Sequence, residues 1–224
     1  MSRIAAAIPA YEAAVSVGSV VDRTLAIVPN VLVIDDGSRD GTADAARAAG
    51  GEVHVLPANR GKGAALRAAF EILFSRGFTE VVTLDADGQH LPEEIPSLLA
   101  AAPEADLVLG TRDHLFAEMG VVRRFSNRLS SRAISLAAGR PISDVQTGFR
   151  LYTRALIERT GFPEPRFEAE SAVVVRAVRL GLRVATTPIR LGHADGRATS
   201  HYRPIADSLR IASAVTRARF WSQG

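Results

Sequence analysis

The chain has no cysteine, one tryptophan, two methionines and a single lysine, Lys62, against 26 arginines in 224 residues. Without cysteine there is neither a disulfide nor a thiolate metal site, and a reducing compartment is compatible. No stretch approaches the roughly 20 apolar residues of a membrane span. The first apolar run, from Ile4, is stopped by Pro9, too short for a signal-peptide core. A soluble or peripheral protein is expected, cytoplasmic and on the cytoplasmic face of the membrane if peripheral. No G-x-G-x-x-G follows that run, which disfavours a dinucleotide-binding Rossmann domain. No linker, repeat or low-complexity segment divides the chain, so residues 1–224 are expected to form one domain with a full core.

What is present is unevenly charged. Residues 1–111 carry 8 basic and 15 acidic side chains, a balance of −7, and residues 112–224 carry 19 and 9, a balance of +10. An acidic half suits a metal, and a basic half suits an anionic partner. Apolar runs at 4–8, 31–35, 53–56, 80–85 and 106–110 are strand-length and rich in Val, Ile and Leu. Helix-like stretches near 14–27, 41–50, 62–76 and 92–102 separate them. Continuous apolar strands alternating with helices predict an α/β domain with a doubly wound, mostly parallel sheet covered on both faces. In the second half a helix is expected over 123–138, extended chain over 144–152 and a helix over 168–181. A strand should end at Pro188, and a last helix should run from Pro204 to about Trp221.

Two acidic motifs end buried runs: Val33-Ile34-Asp35-Asp36-Gly37-Ser38 and Thr83-Leu84-Asp85-Ala86-Asp87-Gly88-Gln89-His90. Open α/β sheets bind ligands beyond the carboxyl ends of their strands. Carboxylates repel a bare phosphate, but with a divalent cation between them they bind a diphosphate. Asp-x-Asp offers the hard oxygen ligands that Mg²⁺ or Mn²⁺ takes. A calcium loop would need further oxygen ligands at alternating positions, where Leu91-Pro92 stands instead. On residues alone, Asp35 and Asp36 could equally close an Asx-type turn. Asn59-Arg60-Gly61-Lys62-Gly63 could be a phosphate-approaching helix start or a plain turn.

These strings, with Ile8-Pro9-Ala10-Tyr11, Gly110-Thr111-Arg112, Asp144-Val145-Gln146-Thr147-Gly148-Phe149-Arg150 and Phe167-Glu168-Ala169-Glu170, resemble the family 2 glycosyltransferases over residues 3–212. The likeness is to their dolichol- or polyprenyl-phosphate sugar synthase group. It implies a GT-A fold and an inverting, metal-dependent transfer of a hexose. The donor would be a nucleotide-sugar of the GDP-mannose or UDP-glucose type, and the acceptor a polyprenyl or dolichyl phosphate. It implies donor contacts at Pro9, Tyr11, Asp36, Lys62, Asp85 and Ala86, and Mg²⁺ or Mn²⁺ at Asp85, Asp87 and Gln89. Asp87 and Asp144 would be catalytic, and Arg112, Arg123, Arg124, Ser126 and Arg150 would meet the acceptor. Of Glu168 and Glu170, two positions apart on a helix, at most one is expected near the site.

The basic, amphipathic stretches at 123–138 and 203–221 resemble helices that lie on an anionic membrane surface, or else they pack on the sheet. No nucleic-acid partner is implied, and the oligomeric state is not legible. Alternatives are transfer to a soluble sugar or glycan hydroxyl with Asp144 as base, and a non-catalytic nucleotide-sugar-binding module. The sequence departs from the family at Glu12-Ala13, where Asn-Glu is common, and at Ser200-His201, where Ser-Lys is common.

Overall fold

A computed structural model describes residues 3–111, 134–135, 139, 145, 147–192 and 204–221. In chain order the elements are β1 (Ile4–Ala10), α1 (Val17–Leu25), β2 (Val31–Asp35), α2 (Thr42–Ala48), β3 (Glu52–Val55) and α3 (Lys62–Ser75). There follow β4 (Glu80–Thr83), α4 (Ile95–Ala101), β5 (Leu107–Thr111), β6 (Arg150–Thr153), α5 (Arg154–Thr160), α6 (Glu168–Arg179), β7 (Val184–Pro188) and α7 (Pro204–Arg219). The seven strands form one sheet in the order β3-β2-β1-β4-β6-β5-β7. All neighbours are parallel except β6, which runs antiparallel to both β4 and β5.

Strands β1, β2, β4 and β5 read as apolar runs because both sheet faces are buried there, while the edge strands β3 and β7 are partly or fully exposed. Ala5, Ala7, Leu32 and Ile34 point to a core with Leu66, Phe70 and Leu73 of α3, Val173 and Val174 of α6, and Ile211 and Val215 of α7. Ala6, Ile8, Val31 and Val33 point to the opposite core, with Val20 and Val21 of α1, Ile95 and Leu98 of α4, and Phe149.

The short helix α5 was not anticipated, although Thr153 caps it by accepting from the Leu156 N–H and Gly161 ends it at φ 61°. The last helix forms where expected. Ile211, Ala214, Val215 and Ala218 are buried against the body, while Arg210, Ala212, Arg217 and Arg219 face outward, as does Phe220 just beyond the helix. Over this stretch the apolar side is spent on packing rather than left for a membrane. Of the helix expected over 123–138, only 134 and 135 are described, and both are helical. Among the described residues no helix is long and apolar enough to cross a membrane.

Candidate active site

From β1 the chain winds outward through β2 to β3, then returns to the other side of β1 as β4. The reversal lies between β1 and β4, and in open α/β sheets the binding crevice lies beyond the strand carboxyl ends at such a point. The residues leaving β1, β2 and β4 are Tyr11-Glu12, Asp36 and Asp85-Ala86-Asp87, so the sheet collects both acidic motifs at one edge.

The turn after β1 is stapled to the loop after β2. Glu12 donates its N–H to Ser38 Oγ at 2.9 Å, and its carboxylate accepts the Arg39 N–H at 2.9 Å. Ala13 donates to Thr42 Oγ1 at 2.8 Å, and Ala14 to Asp40 Oδ2 at 3.0 Å. Glu12 holds φ 52°, a backbone conformation that costs energy for a non-glycine residue. Asp35 is the structural member of its pair, closing an Asx turn onto the Ser38 N–H at 2.8 Å. Asp36 is buried too, and its two oxygens accept the backbone N–H groups of Arg60 and Gly61, each at 2.7 Å. Burial pushes the Asp36 carboxyl up, opposed by those two N–H groups and by the charge of Arg166. Asp36 therefore fastens the Asn59–Gly63 loop against the end of β2.

The second acidic motif is gripped from three sides. Ser16 Oγ donates to the Ala86 carbonyl at 2.7 Å. His90 Nδ1 accepts the Asp85 N–H at 3.2 Å, while its ring stacks on Phe149 at 5.5 Å between centroids. Asp87 Oδ1 accepts the Gln89 N–H at 2.9 Å. Burial, and then the negative charge of Asp85, raise the Asp87 carboxyl. Lys62 Nζ lies 2.6 Å from Asp85 Oδ1 and 3.0 Å from Glu170 Oε2. Burial works against that ammonium, but the two carboxylates outweigh it and its pKa is raised.

Val145 and residues 147–150 bring the other side of the crevice to the same point. Thr83 Oγ1 donates to the Gly148 carbonyl at 2.9 Å. Arg150, expected at the acceptor, is fully buried. Its guanidinium donates to the carbonyls of Thr147 at 2.7 Å, Glu170 at 2.5 Å and Val145 at 2.6 Å. The fork that suits a phosphate is directed here at three backbone carbonyls, and Arg150 thereby shapes this segment. Arg112, Arg123, Arg124, Ser126 and Asp144 lie outside the described residues.

Among the described residues no three acidic, histidine or cysteine side chains gather into a ready metal site. Asp85 and Asp87 nevertheless fit Mg²⁺ or Mn²⁺. Mg²⁺ in particular is commonly bound by one or two carboxylates together with substrate phosphates rather than by an all-protein cage. The charge of Asp85 raises the Asp87 carboxyl, as it would in a pair of carboxylates set close enough to share one cation.

The family model for glycosyl transferase family 2 matches residues 6–161. The chain belongs to that family. An undecaprenyl-phosphate mannosyltransferase of Micrococcus luteus is 35% identical over 84% of this family 2 chain and 82% of its own. A polyprenol monophosphomannose synthase of Mycolicibacterium smegmatis is 34% identical over 81% of this chain and 74% of its own. Among solved structures, glucosyl-3-phosphoglycerate synthase of Mycobacterium tuberculosis, crystallised with Mn²⁺, UDP-glucose and phosphoglyceric acid, covers the whole chain. It superposes with a TM-score of 0.77 at 22% identity, over 82% of its own length, a likeness of fold.

Several residues that build this glycosyltransferase site gave little sign of it in the sequence. Ser16, Thr83 and Glu12 act on backbone or through backbone, and single hydroxyls and carboxylates of that kind are common. Glu170 is the member of its acidic pair that reaches the crevice, through Lys62. Glu168 is buried as well, with Oε2 accepting no hydrogen bond among the described residues. The one legible signal for Glu170 was its place in Phe167-Glu168-Ala169-Glu170.

Proposed function

We propose that this glycosyltransferase moves a hexose, with inversion, from a nucleotide-sugar of the GDP-mannose or UDP-glucose type to a polyprenyl phosphate. The observation that carries the reading is the Asp85-Ala86-Asp87 loop, fixed at the sheet's switch point by Ser16 and His90 and facing Gly148 of the acceptor-side segment. The two relatives named for polyprenyl-linked mannose transfer support the acceptor class.

In this reading the nucleotide lies over the ends of β1 and β2, against Pro9, Tyr11 and the loop that Asp36 fastens. Asp85 and Asp87, with Gln89 beside them, hold Mg²⁺ or Mn²⁺. The bound cation supplies charge stabilisation to the departing nucleoside diphosphate. Lys62 stands at the same wall on the donor side, paired with Asp85 and Glu170. The lipid phosphate arrives already ionised and attacks the anomeric carbon from the opposite face, which inverts it. Arg112, Arg124 and Ser126 orient that phosphate, since guanidinium forks match phosphate oxygens. Asp144 positions groups and takes no proton. The outward Arg210, Arg217 and Arg219 of α7, with Phe220 just beyond it, support a peripheral attachment to an anionic, cytoplasmic membrane face.

The test is a transfer assay with labelled GDP-mannose and UDP-glucose, a polyprenyl phosphate in detergent, and Mg²⁺ or Mn²⁺. Label should enter the lipid phase, stop with excess EDTA and stop in Asp87→Ala. Label reaching only soluble glycans would replace the lipid acceptor with a hydroxyl one. Full turnover in EDTA would remove the metal.

A further inference from the structure

A chain of charged side chains runs beneath the crevice from the acidic loop to the acceptor-side segment. Asp85 Oδ1 is 2.6 Å from Lys62 Nζ, Lys62 Nζ is 3.0 Å from Glu170 Oε2, and Glu170 Oε1 is 3.9 Å from Arg150 Nε. Glu170 is 4% exposed and Arg150 is 0% exposed. Glu170 Oε1 accepts no hydrogen bond among the described residues. A buried carboxylate with an idle oxygen is costly, because one desolvated acceptor is left unmatched. Its charge is held there by Lys62 at Oε2 and, at longer range, by Arg150 at Oε1.

Lys62 poses a problem that Glu170 answers. An ammonium 2.6 Å from Asp85 is a resident cation on an oxygen that an incoming divalent ion needs. Paired with Asp85 alone, it would cancel that charge and compete for its lone pairs. A second carboxylate on the far side of Nζ divides the ammonium's charge and leaves Asp85 anionic towards the crevice. A β-carbon on Gly148 would stand 2.6 Å from Nζ, so the glycine is what leaves room for the ammonium beside Asp85. In a chain with 26 arginines, the single lysine is packed between two carboxylates and a glycine.

We propose that Glu170 is a positioning residue that neutralises Lys62 and so keeps Asp85 available as an anionic ligand for the divalent cation. The proposal rests on the metal reading given above. It predicts coupling between Glu170 and Lys62 in metal affinity, separate from turnover.

The experiment titrates Mn²⁺ into the whole chain and follows the free-ion signal by electron paramagnetic resonance, alone and with UDP or GDP. Asp85→Asn and Asp87→Asn calibrate the site. If both bind Mn²⁺ as the unaltered chain does, the metal reading itself is wrong. If they lose it, Glu170→Gln should weaken Mn²⁺ by about tenfold, as expected when one nearby unit charge goes unbalanced in a partly buried site. Lys62→Gln should bind Mn²⁺ at least as well as the unaltered chain when no nucleotide is present. Adding Glu170→Gln to Lys62→Gln should then change the affinity by less than about threefold, because the ammonium to be balanced is gone. Unchanged affinity in Glu170→Gln overturns the proposal, as does an equal loss in the Lys62→Gln background, which would make Glu170 act directly by its field. Should Glu170→Gln not fold, Lys62→Gln alone decides, since weaker Mn²⁺ binding there contradicts a competing ammonium.

Discussion

A β-carbon placed on Gly148 would stand 2.6 Å from Oδ2 of Asp85, closer than carbon and oxygen can approach without movement. The acceptor-side segment and the acidic loop thus touch through a glycine, and the contact predicts how each would respond to one methyl group. In Gly148→Ala the atoms displaced are the ends of two side chains, Asp85 and Lys62, which can move. The fold should survive with little change in melting temperature, while transfer falls by about a hundredfold or more. Gly63→Ala is the contrast. Its β-carbon would meet the Glu164 carbonyl at 2.3 Å and Ala169 Cβ at 2.8 Å, backbone and packed core that cannot swing aside. Overpacking of that kind costs about 1–3 kcal/mol or more. Thermal unfolding of both variants beside the transfer assay separates the two cases.

Asp36 carries a second prediction. Its oxygens accept two N–H groups, from Arg60 and Gly61. Asparagine keeps one acceptor and turns an NH₂ donor towards one of those N–H groups, leaving a buried donor unmatched. Asp36→Asn should therefore lose about 1–3 kcal/mol of stability in urea unfolding, even with no nucleotide present. If the variant is as stable as the unaltered chain but binds nucleotide more weakly, Asp36 contributes to the donor and not to its loop.

The two motifs illustrate what could be read in the sequence. Strands β1, β2, β4 and β5 stood out because a sheet buried on both faces leaves no polar interruption from Val31 to Ile34 or from Leu107 to Gly110. The crevice was placed by the same runs, since each acidic motif begins where one ends. What escaped notice was whatever depends on partners distant in sequence. Arg150 has the chemistry of a phosphate fork, and nothing local says that its N–H groups face the carbonyls of Val145, Thr147 and Glu170. Lys62 was legible as a special position because no other lysine exists, but its second carboxylate comes from α6. The amphipathic pattern of α7 was real, yet periodicity cannot say whether an apolar stripe meets a core or a lipid.

Tyr152 offers a control for the core. Its ring lies 5.0 Å from Phe70 and 6.1 Å from Phe162, and its buried hydroxyl sits beside the Arg150 guanidinium without a hydrogen bond of good geometry among the described residues. Burial pushes that hydroxyl up to about 12. Removing an unmatched buried polar atom without changing the ring is close to neutral or stabilising. Tyr152→Phe should unfold within about 0.5 kcal/mol of the unaltered chain, or later. A loss beyond about 1 kcal/mol would reveal a bond from the hydroxyl.

Because Ile211, Ala214, Val215 and Ala218 are buried, deleting the last helix would open the core and test nothing about a membrane. Charge exchange at its outer side is the cleaner probe. Arg210→Glu with Arg217→Glu should weaken sedimentation with vesicles rich in anionic lipid, at about 1 kcal/mol for each basic side chain near the surface. Added salt should weaken binding of the unaltered chain in the same way. Equal sedimentation of variant and unaltered chain at low salt would move the contact elsewhere on the molecule.

Asp144 separates a lipid phosphate from a hydroxyl acceptor. A hydroxyl has a pKa far above neutral, so its proton must leave as the glycosidic bond forms, and losing the base costs about 10²–10⁴-fold. A phosphate monoester is already ionised near neutral pH, its second pKa being about 6. With no proton to remove, Asp144→Asn changes only the charge beside an anion. Its amide keeps the size and one acceptor of the carboxylate. With a polyprenyl phosphate acceptor, kcat should fall by less than about a hundredfold while donor binding is unchanged. In the same assay Arg124→Ala should raise the acceptor KM more than the donor KM, because the guanidinium is assigned to the lipid phosphate and not to the nucleotide. A fall beyond about a thousandfold in Asp144→Asn, with the donor still bound normally, would make Asp144 a base and the acceptor a hydroxyl.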